Sequence, residues 1–338
     1  MSVYDQVDRI NELIRTMNIL CARINTLENN CKEGVCVHVD DYTLKKNSSG
    51  IIYHNIGGTQ DSIIDGTENI KTFSESTISG GDSNSTSASK YSIIAGGKLN
   101  TISDGSVNVI SGGTSNEIEK NTYSLIGTGY NNQMLTSGEY NIICNGIGNN
   151  LNESSNSIII NGELNKIDSV EHGFIGNGKN CELNNSDYSV IIDGCENIIT
   201  DSSLCTIENG VNNNVITSLG GFIGNGIDCS LNNSNYSFIG NGNTNTIEDK
   251  SDHSCIVNGN INDISGSLGS FIGCGGQNTI TSSNNTFLGG GNNNTINNTS
   301  DRSIIIGGNN NDISGSFYGF VGNGTDCSLN NSNYSLIG

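Results

Sequence analysis

The sequence predicts a mostly β fold, a parallel β-solenoid built from coils of about 16 residues and preceded by an α-helical coiled coil. Three observations predict it. A glycine-anchored unit recurs at a fixed period over most of the chain. Only 33% of the 338 residues are hydrophobic, which is too few for an ordinary globular core but enough for a thin core repeated in every coil. The first 30 residues carry a separate heptad pattern.

The clearest copy of the repeating unit is residues 91–102, Tyr-Ser-Ile-Ile-Ala-Gly-Gly-Lys-Leu-Asn-Thr-Ile. Similar segments occupy residues 156–167, 236–247 and 302–313. The glycine that follows the apolar pair anchors each copy, and consecutive anchors lie 16 residues apart except for three steps of 17. The anchors are Gly81, Gly97, Gly113, Gly129, Gly146, Gly162, Gly178, Gly194, Gly210, Gly226, Gly242, Gly259, Gly275, Gly291, Gly308 and Gly324.

Within a coil, Ser-Ile-Ile or Ser-Phe-Ile predicts one short strand and Asn-Thr-Ile a second, because β-branched residues suit a pleated, stacked surface. Glycine and asparagine are expected at the corners, where positive φ is needed, and a polar loop completes the coil. Stacked about 4.8 Å apart, sixteen or so coils form a rod of ~75–80 Å in which Asn side chains hydrogen-bond along the stack. Cys181, Cys229 and Cys327 replace such an Asn and are predicted to be small, buried, reduced residues.

The coils are grouped in blocks of three. Segments of the form Gly-Phe-Ile-Gly-Asn-Gly begin at Gly173 and Gly221, with variants at Ser270 and Gly319, at spacings of 48 or 49 residues. We interpret this nesting as growth by duplication of three-coil blocks. Because residues 334–338 form the first half of another coil, we expect the protein to continue beyond Gly338.

Residues 1–30 are predicted to form a trimeric coiled coil. Apolar residues recur with a and d spacing, and further apolar or small residues at e widen the face beyond what a dimer buries. Arg23 at g can pair with Glu28 at e of a neighbouring helix, and residues 23–28 resemble the trimerisation motif of short three-stranded coiled coils. A single amphipathic helix packed on its own domain is the alternative. The predicted trimerisation residues are Ile10, Leu13, Met17, Leu20, Arg23, Ile24, Leu27 and Glu28.

Residues 31–59 are predicted to be a connector ahead of a β-roll domain at residues 60–338. Cys31, Cys36 and His38 suggest zinc, but no second ligand pair follows at the spacing of a zinc finger, so we predict no metal site there. Interchain disulfides at Cys31 or Cys36 stay open as an alternative if the particle meets oxidising conditions.

The formal net charge of −20 limits the possible partners. No basic stripe is present to neutralise phosphates or anionic lipids, so we predict neither nucleic acid binding nor membrane association. No run approaches the ~20 apolar residues of a membrane helix, and the first residues do not form a secretory signal. We interpret the acidity as a means of keeping a long particle soluble.

We predict no catalytic residue and no cofactor. The glycine-rich residues 289–294 are not followed by Gly-Lys-Ser/Thr, which a phosphate-binding loop requires. The four histidines share no common place in the repeat, and His172 and His253 are expected to be solvated corner residues. Acidic residues are scattered, which disfavours calcium ladders, and no clustered carboxylate pair of a glycosidase is evident.

The pattern Ser-Ile-Ile-x-Gly-Gly-x-x-Asn-x-Ile resembles the head repeats of YadA-type trimeric autotransporter adhesins over about residues 60–338. The resemblance implies a left-handed, trimeric parallel β-roll joined to coiled-coil segments. This coil is longer than that of the family, Asn and Ile replace much of its Ala, and the coiled coil comes first. The composition rich in Asn, Ile and Gly and free of Pro is also similar to that of repeat proteins of giant DNA viruses.

These observations favour a non-enzymatic homotrimeric fibre on a virion or cell surface. Its amino-terminal segment would dock to a larger capsid or surface assembly, and its loops would bind a glycan or a protein receptor. Two alternatives stay open. A polysaccharide-cleaving tailspike enzyme would show two carboxylates ~5–9 Å apart in a groove between subunits. A purely structural filament protein would polymerise end to end.

Overall fold

The structure is a computed structural model that describes the backbone of residues 37–38, 43–44, 62–63, 69–72 and 76–338 and the side chains of residues 69–70 and 76–338. Described residues from Ser62 onwards form a parallel β-solenoid of about 16 turns, and no helix occurs in the described part of the chain. The predicted solenoid is therefore confirmed. The predicted coiled coil of residues 1–30 and most of the connector lie outside the described residues.

Each coil adds one strand to a first sheet. A strand pairs in parallel with its counterpart in the next coil, so that Ile191 lies beside Ile207 and Ile207 beside Ile223. The strands of this sheet are, in order, Ser62–Ile63, Thr77–Ile78, Ile93–Ile94, Val109–Ile110, Leu125–Ile126, Ile142–Ile143, Ile158–Glu163, Phe174–Lys179, Val190–Cys195, Thr206–Val211, Phe222–Ile227, Phe238–Asn243, Cys255–Ile256, Phe271–Ile272, Phe287–Leu288, Ile304–Asn309, Phe320–Thr325 and Leu336–Ile337.

A second strand of each coil builds a second parallel sheet with the same coil-to-coil register, as between Ile264 and Ile280. Its strands are, in order, Ile70–Thr72, Ser85–Ser87, Thr101–Ser103, Glu117–Glu119, Gln133–Leu135, Asn150–Asn152, Lys166–Asp168, Glu182–Asn184, Ile198–Thr200, Asn214–Ile216, Ser230–Asn232, Thr246–Glu248, Asp263–Ser265, Thr279–Thr281, Thr295–Asn297, Asp312–Ser314 and Ser328–Asn330.

The remaining part of the coil, expected to be a polar loop, is an ordered third side. The strands Asn121–Thr122 and Gly138–Glu139 pair in parallel, and single bridges such as Ser203 to Leu219 continue this side elsewhere. A separate antiparallel pair, Val37–His38 with Thr43–Leu44, lies in the predicted connector.

We number coil positions from the buried residue that precedes the first-sheet strand, so that Ser189 is position 1 and Leu204 is position 16. Three of the described coils have a seventeenth residue, which follows position 13 and is left unnumbered, so that Tyr140 is also position 16. Side chains at positions 1, 3, 9, 11 and 14 are buried, whereas positions 2 and 4 lie on the outer face of the first sheet and positions 10 and 12 on that of the second. Ile191 and Ile199 occupy positions 3 and 11 and are fully buried. The core therefore consists of two aliphatic columns flanked by columns of buried Asn and Ser.

Each coil turns at three corners of left-handed backbone, at positions 8, 13 and 16. In one coil these are Glu196, Asp201 and Leu204, with φ of 58°, 50° and 58°. The expectation of glycine and asparagine at every corner was too narrow, since Tyr, His, Leu and Lys also occupy corners. The stack supports these strained residues, because the Leu204 N–H donates to the Asp187 carbonyl of the previous coil at 3.0 Å.

Glycine is required at position 6 by a close approach between coils. Gly113 has a φ of +90°, and a Cβ built on it would lie 2.2 Å from the carbonyl oxygen of Gly129 in the next coil. The neighbouring Gly112 has open space around it. The recurrence of the anchor glycine thus follows from steric contact within the stack.

Buried asparagines at position 9 link consecutive coils. The Asn100 Nδ2 donates to the Gly96 carbonyl of its own coil and to the Gly113 carbonyl of the next, both at 3.0 Å. Its Oδ1 accepts the backbone N–H of Asn116 at 3.0 Å. The predicted Asn ladder is confirmed. In most coils its hydrogen bonds join an Asn side-chain amide to backbone groups of the next coil.

Buried serines at position 14 form a second hydrogen-bond ladder along the stack. The Ser186 Oγ lies 2.7 Å from the Asn184 carbonyl and 3.1 Å from the Ile199 carbonyl, which share its single proton, and it accepts the N–H of Ser202 at 3.2 Å. The hydroxyl is therefore satisfied inside the stack, which allows a polar side chain to sit in so thin a core.

Candidate functional surfaces

Position 16 forms an exposed corner with many aromatic side chains, which we call the aromatic corner. Because successive coils are about 4.8 Å apart, rings on adjacent coils stack. Centroids are 5.0 Å apart for Tyr123–Tyr140 and 4.6 Å apart for His172–Tyr188, with interplanar angles of 4° and 9°. The aromatic corner comprises Tyr91, Tyr123, Tyr140, His172, Tyr188, Tyr236, His253, Tyr318 and Tyr334. His172 and His253 are exposed corner residues, as predicted.

The aromatic corner presents ring edges and hydroxyl groups to solvent. Tyr188 and Tyr236 are 52% and 54% exposed. The Arg302 guanidinium carbon lies 5.4 Å from the centroid of the Tyr318 ring, and Arg302 also donates a hydrogen bond to the Tyr318 hydroxyl. Rings combined with hydroxyls can contact the apolar faces and the hydroxyls of a sugar, or the side chains of a protein.

A shallow trough on the third side of the coils borders the aromatic corner near His172 and Tyr188. It is lined by Glu153, Ser155, Ser169, Val170, Glu171 and Asp187. The Asp187 Oδ1 accepts the backbone N–H of Glu171 at 2.7 Å, so this carboxylate supports the stack. The trough can supply acceptors to a ligand held at the corner, and its open shape is unlike that of a closed active site.

Positions 2 and 4 of the first sheet form a second surface, which we call the apolar face. Its exposed aliphatic side chains include Ile160, Ile192, Val257 and Ile306, which are 42–50% exposed. Phenylalanines occupy position 2 in six coils, and the rings of Phe222 and Phe238 stack at 5.1 Å. This surface was not predicted from the sequence. The spacing Phe-x-Gly, visible at residues 174–176, was the available signal.

The outer face of the second sheet is polar and charged. Lys166 pairs with Asp168 at 2.9 Å and with Glu182 at 3.2 Å, and the hydrogen bond to Asp168 is the main cause that raises the pKa of Lys166. Burial, aided by the nearby charges of Glu248 and Asp249, raises the pKa of Asp263 to about 6. The charged residues on this face are Glu117, Glu119, Lys166, Asp168, Glu182, Glu248, Asp263 and Asp312.

The cysteines of the described region are free thiols. Cys181 and Cys229 are fully buried at the position of the ladder Asn, as predicted, whereas Cys327 is only partly buried. Burial raises the pKa of the Cys181 and Cys229 thiols. The Cys181 Sγ lies 3.6 Å from the Gly194 carbonyl, so it replaces one Asn bond with a weaker contact.

The described residues contain no candidate metal-binding group and no helix that could span a membrane. No group of three His, Cys, Asp or Glu side chains among them is placed to hold a metal ion. No helix in this part of the chain is long and apolar enough to cross a membrane. Cys31 and Cys36 lie outside the described residues.

The predicted trimerisation residues, from Ile10 to Glu28, also lie outside the described residues, so the trimer stays a prediction. Known proteins add no identification. No model of a known protein family matches the chain, and no curated protein matches it either. The resemblance to adhesin heads therefore rests on the repeat pattern.

Proposed function

We propose that this chain forms a non-enzymatic homotrimeric fibre that stands on a virion or cell surface and attaches it to a glycan or protein receptor. The observation that carries the proposal is the in-register stack of coils from Thr77 to Ile337. Seventeen first-sheet strands at about 4.8 Å give a rod of about 80 Å. Such a rod can extend from a surface without bending, because backbone and buried side-chain hydrogen bonds join every coil to the next.

The proposed trimer follows from the heptad pattern of residues 1–30 and from the resemblance to adhesin heads, which also implies a left-handed roll. In this proposal the coiled coil joins the three chains and docks to the larger assembly. The β-roll then projects from that anchor, either as an adhesin-like head or as the shaft of a viral fibre. Neither a membrane span nor nucleic acid binding is part of the proposal.

The aromatic corner is the proposed contact with the receptor. It places exposed rings at intervals along the rod, beside the trough at Glu171 and Asp187. Stacking of sugar or side-chain groups on tyrosine with hydrogen bonds to nearby carboxylates and amides is a common basis of weak, repeated recognition. Several such contacts along a trimeric rod would add through multivalency.

The assembly is tested by measuring the mass of the full chain in solution together with negative-stain images. We expect straight rods with three times the 35.6 kDa mass of one chain. A monomeric mass would overturn the fibre. Long end-to-end polymers from isolated particles would instead support the filament alternative.

The receptor contact is tested by binding of the particle to immobilised glycans and to host-type cells. The double variant Tyr188→Ala, Tyr236→Ala is expected to lose binding. Tyr130→Ala is the matched control, because Tyr130 is 55% exposed but lies outside the aromatic corner. Equal binding by all three proteins would contradict attachment through this corner.

A further inference from the structure

The sizes of the side chains in the two columns of the apolar face are complementary. All six phenylalanines at position 2 are followed by glycine at position 4, as in Phe238 with Gly240 and Phe287 with Gly289. Each ring lies over its glycine, because Cε1 of Phe238 and of Phe287 are 2.9 and 3.1 Å from where a glycine Cβ would be.

Large residues occupy position 4 only where position 2 is not phenylalanine. Ile158 stands with Ile160 and Ile304 with Ile306. Each of these coils therefore carries either one ring over a glycine or two aliphatic side chains on this face. A surface exposed to water has no need of such matching, whereas a packed interface does.

The apolar face is also nearly free of charge. From Thr77 to Gly338 its two columns contain one charged residue, Glu208, in a chain of net charge −20. The outer face of the second sheet carries eight charged residues. An apolar surface with so little charge marks an interaction site.

The size of the apolar face fits a stable protein interface. Seventeen strands at about 4.8 Å extend for about 80 Å, and two outward residues with their side chains cover about 10 Å across the strand. The product is about 800 Å², which is the share of one partner in an interface of standard size.

We propose that the neighbouring copies of this chain in the fibre cover the apolar face, parallel and in register with it. This inference rests on the proposed fibre and names the surface that joins its subunits along the rod. A partner that touches every coil must repeat at the same spacing of about 4.8 Å, and another copy of this chain does so. Parallel alignment follows from the heptad pattern of residues 1–30, which places the amino ends together.

Around a symmetry axis parallel to the rod, each residue meets the neighbouring subunit at its own height. Cys144 at position 4 is exposed in the single chain and lies on the apolar face. In this arrangement the Cys144 thiols of neighbouring copies lie at the same height where the apolar faces meet, shielded from water. In an antiparallel pair the two thiols would be several coils apart.

The test is crosslinking of the full-length particle with a short bismaleimide, with the joined peptides mapped by mass spectrometry. We expect a Cys144–Cys144 crosslink between chains that Cys144→Ser abolishes. We also expect slow alkylation of Cys144 by a monofunctional maleimide, since burial at an interface restricts access to the thiol.

A charge on the apolar face supplies the second arm. Ile192→Glu with Ile306→Glu is expected to suppress the Cys144 crosslink and to raise the alkylation rate by about tenfold, because buried unpaired carboxylates are disfavoured. The matched control is Ile198→Glu with Ile216→Glu, which places the same charges on the outer face of the second sheet. Circular dichroism checks that both variants stay folded.

The outcomes separate the two proposals. A monomeric wild-type mass would overturn the fibre and this interface together. An oligomeric particle with fast alkylation of Cys144 and no Cys144–Cys144 crosslink would overturn the interface and leave the fibre standing. Crosslinks from Cys144 to distant coils would overturn the parallel arrangement.

Discussion

The backbone N–H of Asn116 donates to the Oδ1 of Asn100 at 3.0 Å, across the boundary between two coils. The same Asn100 side chain donates to the Gly113 carbonyl of the second coil. One buried side-chain amide thus satisfies a backbone N–H and a backbone carbonyl of the next coil. This matters in a core to which each coil adds only two columnar aliphatic side chains, at positions 3 and 11.

Asn100→Ala is expected to lower the free energy of unfolding by about 3 kcal/mol or more, because it leaves the Asn116 N–H and the carbonyls of Gly96 and Gly113 without this partner. Chemical denaturation measures the change. Asn225→Ala, which removes an exposed Asn side chain, is the control and should stay within about 0.5 kcal/mol. Equal losses in the two variants would contradict the role of the ladder.

Two adjacent glycines should respond in opposite ways to alanine. Gly113→Ala forces a Cβ onto the Gly129 carbonyl in a backbone of φ +90°, so we expect a loss of about 3 kcal/mol or failure to fold. Gly112→Ala meets open space and should change stability by less than about 1 kcal/mol. Thermal unfolding of both variants measures the difference, and similar melting temperatures would refute the close approach of the coils.

The corner residue Leu204 is strained and exposed. Leu204→Gly is expected to raise stability by about 1 kcal/mol, since the left-handed region costs a non-glycine residue about 1–2 kcal/mol. Ile147→Gly makes a comparable exchange at an exposed residue that is not left-handed, and it should be destabilising. Destabilisation by both variants would show that the Leu204 side chain contributes more than its backbone strain costs.

Asp263 should make stability depend on pH. Its pKa is raised from 3.8 to about 6, mainly by burial, so the folded state holds the proton more tightly than the unfolded chain. Stability therefore falls as the pH rises from about 4 to about 6, and the whole penalty remains above that range. Asp263→Asn is expected to be more stable than the wild type at pH 7–8, with the advantage fading towards pH 4.

Melting temperatures of Asp263→Asn and wild type across pH 4–8 check this expectation. Glu196→Gln, which removes an exposed corner carboxylate, serves as the control for the loss of one negative charge. A constant difference between Asp263→Asn and wild type at every pH would contradict the titration of Asp263.

Much of the coil follows from the sequence because its chemistry is local. Buried Ile191, the left-handed Gly113 and the ladder residue Asn100 recur at fixed phases, and each is recognisable as a residue type. The strained corners were harder to foresee, since Leu204 has no intrinsic preference for positive φ and is held there by hydrogen bonds from the stack.

The functional surfaces were less predictable because they depend on which coils become neighbours. Phe222 and Phe238 are 16 residues apart in the sequence, but stacking places their rings 5.1 Å apart on one face. The same holds for Tyr236 and His253 at the aromatic corner, at 5.4 Å. Such surfaces are formed by side chains at the same position of successive coils, so they depend on how the coils are stacked.

The side-chain ladders have a direction. Asn100 bonds forward to Gly113 and Asn116, and Ser186 bonds forward to Ile199 and Ser202, so each coil is completed by the coil that comes after it in the chain. During translation the amino-terminal coils leave the ribosome first, and each finished coil then offers open amide and hydroxyl groups as a template for the next. Synthesis and folding can therefore advance together, one coil at a time, from the amino-terminal end of the solenoid.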